Sequence, residues 1–551
     1  MLLNRTIFTI SLVFFSWIGQ SQSNSFWYSV YLKDKNNTNY QINKPLEFLS
    51  ERALTNRQKN QIPLDSTDLP VNQQYLIKLN EFGQVKYSSK WQNSALILLT
   101  DSASIDSILS LDFVKNMEYL GLKNVTKTKR KRQSKDNQSA ESEAFSFNSE
   151  YGLATEQIEL IGIKPLHESG YFGENVRIAV LDAGFKSANT MTSFHHLFDR
   201  SGIILAGDIV EKGNDPYLES THGTHVLSTM AGYLGQKYLG TSPMADFILL
   251  RTEDVGSEYP VEEYFWLVGA EIADSCGADI ITSSLSYTTF DDTILNHNHQ
   301  QLDGKTTLVS KAASTAASKG IIVVTSAGND GNGSWRKIGF PADGVDVLTV
   351  GATDSKGSYA TLSSHGHAVD GRIKPDITAV GKGTALIGTN DQVFNGNGTS
   401  FSTPTIAGGI AVLVQSNPSK TAKQIREALL LSSSRYRNPD SLMGFGIPNF
   451  IAADLILKGQ TITEPEEFPF KIIPNPFSST FYIIANPIEI QDIKLSIIDT
   501  NGKIVYEKTH KLFTGHQLIE VTENADLTNG LYIFRIETPM GIFSEKILKQ
   551  E

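Results

Sequence analysis

Asn397-Gly398-Thr399-Ser400-Phe401-Ser402-Thr403-Pro404, followed by the apolar stretch Ile406 to Leu413, decides how the rest of the chain is read. A glycine-bearing turn runs straight into a helix of small and apolar residues, which puts Ser400 at a helix N-terminus. First-turn N–H groups lack intrahelical partners, and the positive end of the helix dipole favours a nearby anion. A serine so placed can attack a carbonyl while its own N–H holds the oxyanion that forms. Taken alone, the stretch reads as an N-cap serine on a buried helix.

Three upstream stretches bear on that choice. Val176-Arg177-Ile178-Ala179-Val180-Leu181-Asp182-Ala183-Gly184 is a near-continuous apolar run ending in a carboxylate, the pattern of a buried parallel strand. Ligands of open α/β sheets bind at the carboxyl ends of such strands. Thr221-His222-Gly223-Thr224-His225-Val226 opens a small-residue helix, and Ile321 to Thr325 is a second apolar strand, running into Ser326-Ala327-Gly328-Asn329. Singly, Asp182 reads as a strand-end turn residue, His225 as a packed helix histidine, and His222 with His225 as two ligands of a metal site lacking its third. Together, in the chain order Asp, His, Ser, they resemble the subtilisin-like serine peptidases, the subtilases. The resemblance implies a catalytic triad of Asp182, His222 and Ser400, with an oxyanion hole formed by the Asn329 amide and the Ser400 N–H. Asn397-Gly398-Thr399 is formally a glycosylation sequon, but a sugar there would block Ser400.

The same resemblance places substrate binding on Ser284, Leu285 and Ser286, where the family carries Ser-Leu-Gly, with the opposite edge at Gly256 in Asp254-Val255-Gly256-Ser257. Extended peptides are held by adding a strand to such edges. Gly339, ahead of Phe340-Pro341-Ala342, resembles the segment at the base of the primary pocket and implies room for a large apolar side chain before the cut. No metal ligand set is assigned. Calcium is frequent in the family, but Asp208, Asn214 and Asp215 do not form a spaced binding loop, so structural calcium stays open and no cofactor is expected.

At 551 residues, with 40% apolar and 19% charged residues, the chain is an ordinary globular composition too long for one core. A formal charge of −11 argues against nucleic-acid binding. Cys276 is the one cysteine, which excludes an intramolecular disulfide; it reads as a small buried residue on an apolar helix from Ala270 to Ala278. Residues 1–22 carry Arg5, an apolar run from Ile7 to Ile18 and then small polar residues, as a secretory signal peptide does. No later run is long enough to predict a transmembrane helix.

Residues 23–125 read as a small α+β unit. Strands are expected at Phe26–Leu32, Gln74–Leu79 and Ala95–Thr100, and helices at Pro45–Arg57 and Ile105–Lys115, close to a split βαβ. This unit resembles the inhibitor-type propeptides of subtilases; a permanent binding module is the alternative. Residues 126–150, with Lys127-Thr128-Lys129-Arg130-Lys131-Arg132, form a basic, polar linker, an exposed joint of the kind proteases cut. From 151 to 458, strands alternate with helices: Arg177–Leu181, Ile203–Leu205, Phe247–Arg251, Ile280–Leu285, Ile321–Thr325 and Val347–Val350 against His222–Gly232, Val261–Ser275, Leu308–Lys319, Ser400–Gln415 and Thr421–Leu431. That predicts an α/β fold with a mostly parallel sheet flanked by helices, subtilisin-like in the implied family.

After an acidic linker at 459–469, residues 470–551 alternate as short strands with turns at Asn501-Gly502 and Asn529-Gly530, predicting a small antiparallel β-sandwich. Pro474-Asn475-Pro476-Phe477, Asp499-Thr500-Asn501-Gly502-Lys503 and Leu527-Thr528-Asn529-Gly530-Leu531-Tyr532 resemble the C-terminal sorting domains of type IX secretion; a carbohydrate- or surface-binding sandwich is the alternative. The implied protein is a serine endopeptidase made as a zymogen and delivered outside the cell or to its surface. Its implied partners are protein and peptide substrates, its own propeptide as an intramolecular inhibitor, and the type IX machinery. An inactive scaffold serving as an adhesin, or an esterase or peptide ligase using the same acyl-enzyme, would share this sequence pattern. If the linker is the maturation point, N-terminal sequencing of the secreted protein returns a start within 126–150; a start near residue 60 or 200 rejects it.

Overall fold

The computed structural model describes residues 25–123, 151–459, 470–485, 491–512, 517–522, 527–539 and 541–550. The signal segment 1–22, the basic linker 126–150 and nearly all of the linker 459–469 lie outside the described residues.

The N-terminal unit runs β1 (Ser25–Leu32), α1 (Glu51–Lys59), α2 (Gln73–Leu79), β2 (Gln84–Ser89), β3 (Ser94–Leu99), α3 (Ser104–Leu109) and β4 (Val114–Lys123). Its antiparallel sheet has the order β2-β3-β1-β4. The strand expected at 74–79 is instead helix α2. The Asn72 side chain accepts the Gln74 N–H at 2.8 Å, and Tyr75, Leu76 and Leu79 then turn together onto the unit's core. The helix expected from Pro45 starts properly only at Glu51, where Ser50 caps it, and the one expected over 105–115 stops at Leu109 because Val114 pairs with Leu32 in the sheet. Strand β2, QVKYSS, was not expected: its polar alternation hides a strand held by β3.

In the central unit α4 (Thr155–Glu159) and α5 (Lys164–Glu168) precede β5 (Arg177–Asp182), α6 (His195–Asp199), β6 (Ile203–Asp208) and α7 (His222–Ala231). Then come β7 (Asp246–Arg251), α8 (Val261–Ser275), β8 (Ile280–Ser283), α9 (Leu308–Ser318), β9 (Ile322–Ser326) and β10 (Leu348–Thr353). The short pair β11 (Gly366–His367) and β12 (Ile373–Lys374), β13 (Ile377–Val380) and the hairpin β14 (Lys382–Ile387) with β15 (Val393–Asn397) lead into α10 (Thr399–Ser416), α11 (Ala422–Leu431) and α12 (Phe450–Leu457). Seven strands form one parallel sheet in the order β13-β10-β9-β8-β5-β7-β6. One apolar cluster covers one face, with α7, α10 and α12; the other holds α8 and α9. Cys276 follows the end of α8 and is half-buried rather than interior to a helix.

Helix α10 is buried along nearly its whole length. It fits because Gly408 and Gly409 have no side chain: a Cβ on the first would run into Thr241 Oγ1, and on the second into the buried Phe450 ring. The N-terminal unit sits on α8 and α9 through buried charges. Arg57 bridges Asp68 at 3.2 Å and Asp274 at 2.7 Å; Lys319 reaches Asp68 at 3.0 Å and Lys90 reaches Asp274 at 3.0 Å. Glu271 accepts the Ser89 hydroxyl and the Lys90 and Trp91 N–H groups. Each charge is paired or hydrogen-bonded, as burial requires.

Beyond the linker, β16 (Phe470–Ile473), β17 (Thr480–Ala485), β18 (Gln491–Ile498), β19 (Ile504–Leu512), β20 (Gln517–Thr522), β21 (Gly530–Thr538) and β22 (Gly541–Lys549) make two antiparallel sheets, β16-β17-β20 and β19-β18-β21-β22. Their inner faces share a core of Phe481, Ile483, Leu495, Ile497, Phe534 and Ile547, among others. Among the described residues no helix is long and apolar enough to cross a membrane. In a Ser400→Ala background that removes self-digestion, Gly408→Val is expected to lower stability by about 1–3 kcal/mol through overpacking, read as a shift of the urea midpoint.

Candidate active site

The carboxyl ends of the sheet strands and the first turns of α7 and α10 meet at one rim. Asp182 is the last residue of β5 and is fully buried, its Oδ1 accepting the Ala183 N–H at 2.7 Å. His222 opens α7, and its Nδ1 donates to the same Oδ1 at 2.8 Å. A carboxylate only accepts, so the proton lies on Nδ1 and Nε2 is left as the acceptor. Burial pushes the imidazole down, but the charge and hydrogen bond of Asp182 outweigh it, and His222 is held above its usual range. His225, one turn on, is pushed below it by burial and by His222, and its ring packs edge-on against Phe394. The two histidines of this turn are therefore tuned in opposite directions, and among the described residues no third metal-ligating side chain joins them.

Ser400 is the second residue of α10, and the ring of its neighbour Phe401 lies 6.1 Å from that of His222. Gly398 reaches φ +151°, a conformation that lets the chain turn from β15 directly into the helix. The Ser400 hydroxyl donates to the Ser284 carbonyl at 3.3 Å; among the described residues it makes no hydrogen bond to His222. The Ser284 hydroxyl donates in turn to the Ser400 carbonyl at 2.8 Å, tying β8's extension to the first turn of α10. Asn329, beyond the end of β9, accepts the Thr399 N–H at 2.8 Å and the Thr399 hydroxyl at 3.0 Å on its Oδ1. Those bonds fix the amide's orientation and leave Nδ2 as the donor end beside the helix start.

Ser284, Leu285 and Ser286 run on from β8. The chain past them pairs with the segment after Gly339, Tyr287 and Phe340 exchanging N–H···O bonds of 2.9 and 3.2 Å. The room left by Gly339 is already taken in part: a Cβ there would collide with the Ser286 hydroxyl. Serine at 286 and glycine at 339 are thus sterically matched. Gly256 lies on an exposed loop held from below by residues that the sequence reading missed. Glu262 accepts the Asp254 N–H at 2.6 Å and the Tyr259 N–H at 3.3 Å, while the buried Tyr287 hydroxyl donates to Glu253. Burial pushes Glu253 well up and Glu262 up to about 11, each raised further by neighbouring carboxylates. Glu262-Glu263 reads in sequence as the acidic first turn of α8, and nothing local signals that both are buried. Asp208 pairs with Arg251 at 2.7 Å and Asp215 caps Tyr217, so these two are engaged within the protein; no metal-binding group of three is found among the described residues.

The subtilase family model matches residues 173–446, a model of the peptidase S8 propeptide domain of Bacteroidota matches 27–139, and the secretion system C-terminal sorting domain matches 471–550. Subtilisin E of Bacillus subtilis is 32% identical over 301 residues, spanning 54% of this chain and 70% of the relative. Subtilisin of Bacillus pumilus is 32% identical over 54% of this chain and 97% of its own length. Among solved structures, MycP1 with its N-terminal propeptide removed is similar at a TM-score of 0.43 and 21% identity, covering 56% of this chain and 98% of that one. The sorting domain directs the protein through type IX secretion to the cell surface or the extracellular space. The chain belongs to the subtilase family and is a serine endopeptidase with a propeptide.

Proposed function

We propose that the protein hydrolyses peptide bonds through an acyl-enzyme on Ser400, with His222 as general base and then general acid. Asp182 fixes the tautomer and stabilises the imidazolium. The observation that carries this reading is the 2.8 Å Asp182–His222 bond beside the first turn of α10. Rotation of the Ser400 side chain from the Ser284 carbonyl toward Nε2 aligns it for attack; such rotamer changes are small, and catalytic hydrogen bonds commonly tighten only with substrate bound. The oxyanion is received by Asn329 Nδ2 and the Ser400 N–H, which the helix dipole reinforces. Substrate lies extended along Ser284–Ser286, opposite Gly256. Residues 23–125 act as the inhibitor until the linker 126–150 is cut, 151–458 are the peptidase, and 470–551 carry the export signal.

Casein hydrolysis by the matured protein is expected to fall about 10⁶-fold in Ser400→Ala and about 10²–10³-fold in Asn329→Ala; full activity in Ser400→Ala removes the mechanism. A protonated His222 cannot take the serine proton, so kcat/KM falls as pH drops through its raised pKa. The acid limb is expected above the ordinary histidine value of about 6.5. Asp182→Asn should move that limb down and lower kcat about 10⁴-fold; an unmoved limb would assign it to another group.

A further inference from the structure

Two strand extensions flank the nucleophile. Past β8 the chain continues as Ser284-Leu285-Ser286, and past the neighbouring β9 as Ala327-Gly328-Asn329. They are tied near their start, where the Ser326 hydroxyl donates to the Leu285 carbonyl at 3.2 Å. The Ser400 hydroxyl rests on the Ser284 carbonyl, and Asn329 is fixed against Thr399 on the other side. A substrate carbonyl attacked from Ser400, with its oxygen toward Asn329, therefore delivers the side chain on its acyl side into the gap between the two extensions.

Gly339 closes the far end of that gap, its N–H donating to the Ala327 carbonyl at 3.1 Å. A Cβ on Gly339 would collide with the Ser286 hydroxyl and stand 3.3 Å from the Thr288 methyl. A Cβ on Gly328 would stand 3.2 Å from the same hydroxyl and 3.0 Å from that of Ser364. The space left by two residues without side chains is thus entered by one hydroxyl and bordered by a second. Ser286 is exposed, whereas Ser364 is buried and its Oγ accepts the Asp330 N–H at 2.9 Å. Neither hydroxyl proton has an acceptor among the described residues. Enclosed donors are costly unless an acceptor is supplied, and a few such groups in a pocket set its specificity. Ser286, Thr288 and Ser364 carry no charge, so a carboxylate or ammonium buried against them would arrive unpaired.

We propose that Ser286 is the residue that sets the specificity of this peptidase, selecting a polar, uncharged side chain before the cut, glutamine best. With Ser364 it turns the slot beside Ser400 into a short pocket with two hydroxyl donors at its base. The amide oxygen of glutamine has two lone pairs, one for each donor. A phenylalanine ring meets the Ser286 hydroxyl where its edge would seat, and it answers neither donor. A site built to hydrogen-bond its substrate rejects an apolar competitor more strongly than an apolar pocket rejects a change of size. This inference rests on the acyl-enzyme proposal and names the substrate class of that site.

The test uses the protein matured from the full chain and two tetrapeptide p-nitroanilides that differ only in the residue before the anilide, glutamine or phenylalanine. The glutamine peptide is expected to have the higher kcat/KM. Ser286→Gly, which clears the slot and removes one donor, is expected to move the ratio of the two kcat/KM values toward phenylalanine by about 10-fold or more. Ser286→Ala also removes the intruding hydroxyl, and it decides by the same threshold if the glycine variant does not accumulate. A wild type that cleaves the phenylalanine peptide as fast or faster, or a ratio that moves less than this, overturns the inference. Ser400→Ala separates the two readings. If it abolishes cleavage of both peptides while the Ser286 variants leave the ratio unmoved, the specificity inference alone fails; if cleavage survives it, the acyl-enzyme proposal fails and this inference with it.

Discussion

Burial of α10 is the constraint on which the rest of the structure depends. A helix enclosed over most of its length cannot shift along its axis without moving the sheet beneath it and the helices beside it, because interiors pack at crystal-like density. Gly408 against Thr241 and Gly409 against Phe450 set its depth, and so they set where its first turn emerges. The N-terminal N–H groups that such a helix cannot satisfy internally are thereby aimed at a fixed point on the rim. Asp182 is held there with similar rigidity, fully buried at the end of the interior strand β5. His222, its side chain 34% exposed, is the one member of the group open to exchange protons with what arrives.

The units flanking the peptidase are attached by different physics. The N-terminal unit buries a connected set of opposite charges against α8 and α9, so Asp274, Glu271 and Lys319 on the peptidase side are partnered by Arg57, Lys90, Ser89 and Asp68 of the N-terminal unit. Removing one partner of such a set strands the others, whereas separating the whole unit returns all of them to water. An interface of this composition suits a segment that must hold firmly and later leave. The C-terminal sandwich attaches through apolar residues, Ile484 and Leu518, with Lys164–Glu520 and Tyr482–Glu168 at the edge. It sits on the peptidase by one face and keeps the other outward.

Much of the site was legible because its parts are short and local. A strand that ends in Asp182, a helix that opens on His222 and a turn that runs into Ser400 each announce themselves by apolar periodicity and a glycine. Long elements came through well for the same reason: α8 runs Val261–Ser275 as its spacing predicts. Short amphipathic pieces did not. Gln73–Leu79 has side chains that suit either a strand or a helix, and the choice fell to the Asn72 cap and a core on one side. β13, four residues long, shows its place at the sheet edge only through pairing with β10.

The sequence by itself determined which chemistry is available, because it supplies one carboxylate, one imidazole and one hydroxyl each at the end of an element that a parallel sheet brings to a common rim. Only the tertiary structure decided their state and surroundings: the proton on Nδ1 of His222, the orientation of the Asn329 amide, the Ser286 hydroxyl in the space left by Gly339, and the buried Glu253 and Glu262 beneath the loop that carries Gly256. These are set by contacts between residues tens to hundreds of positions apart, and by how far water is excluded around them. Neither quantity is carried by any local stretch of the chain.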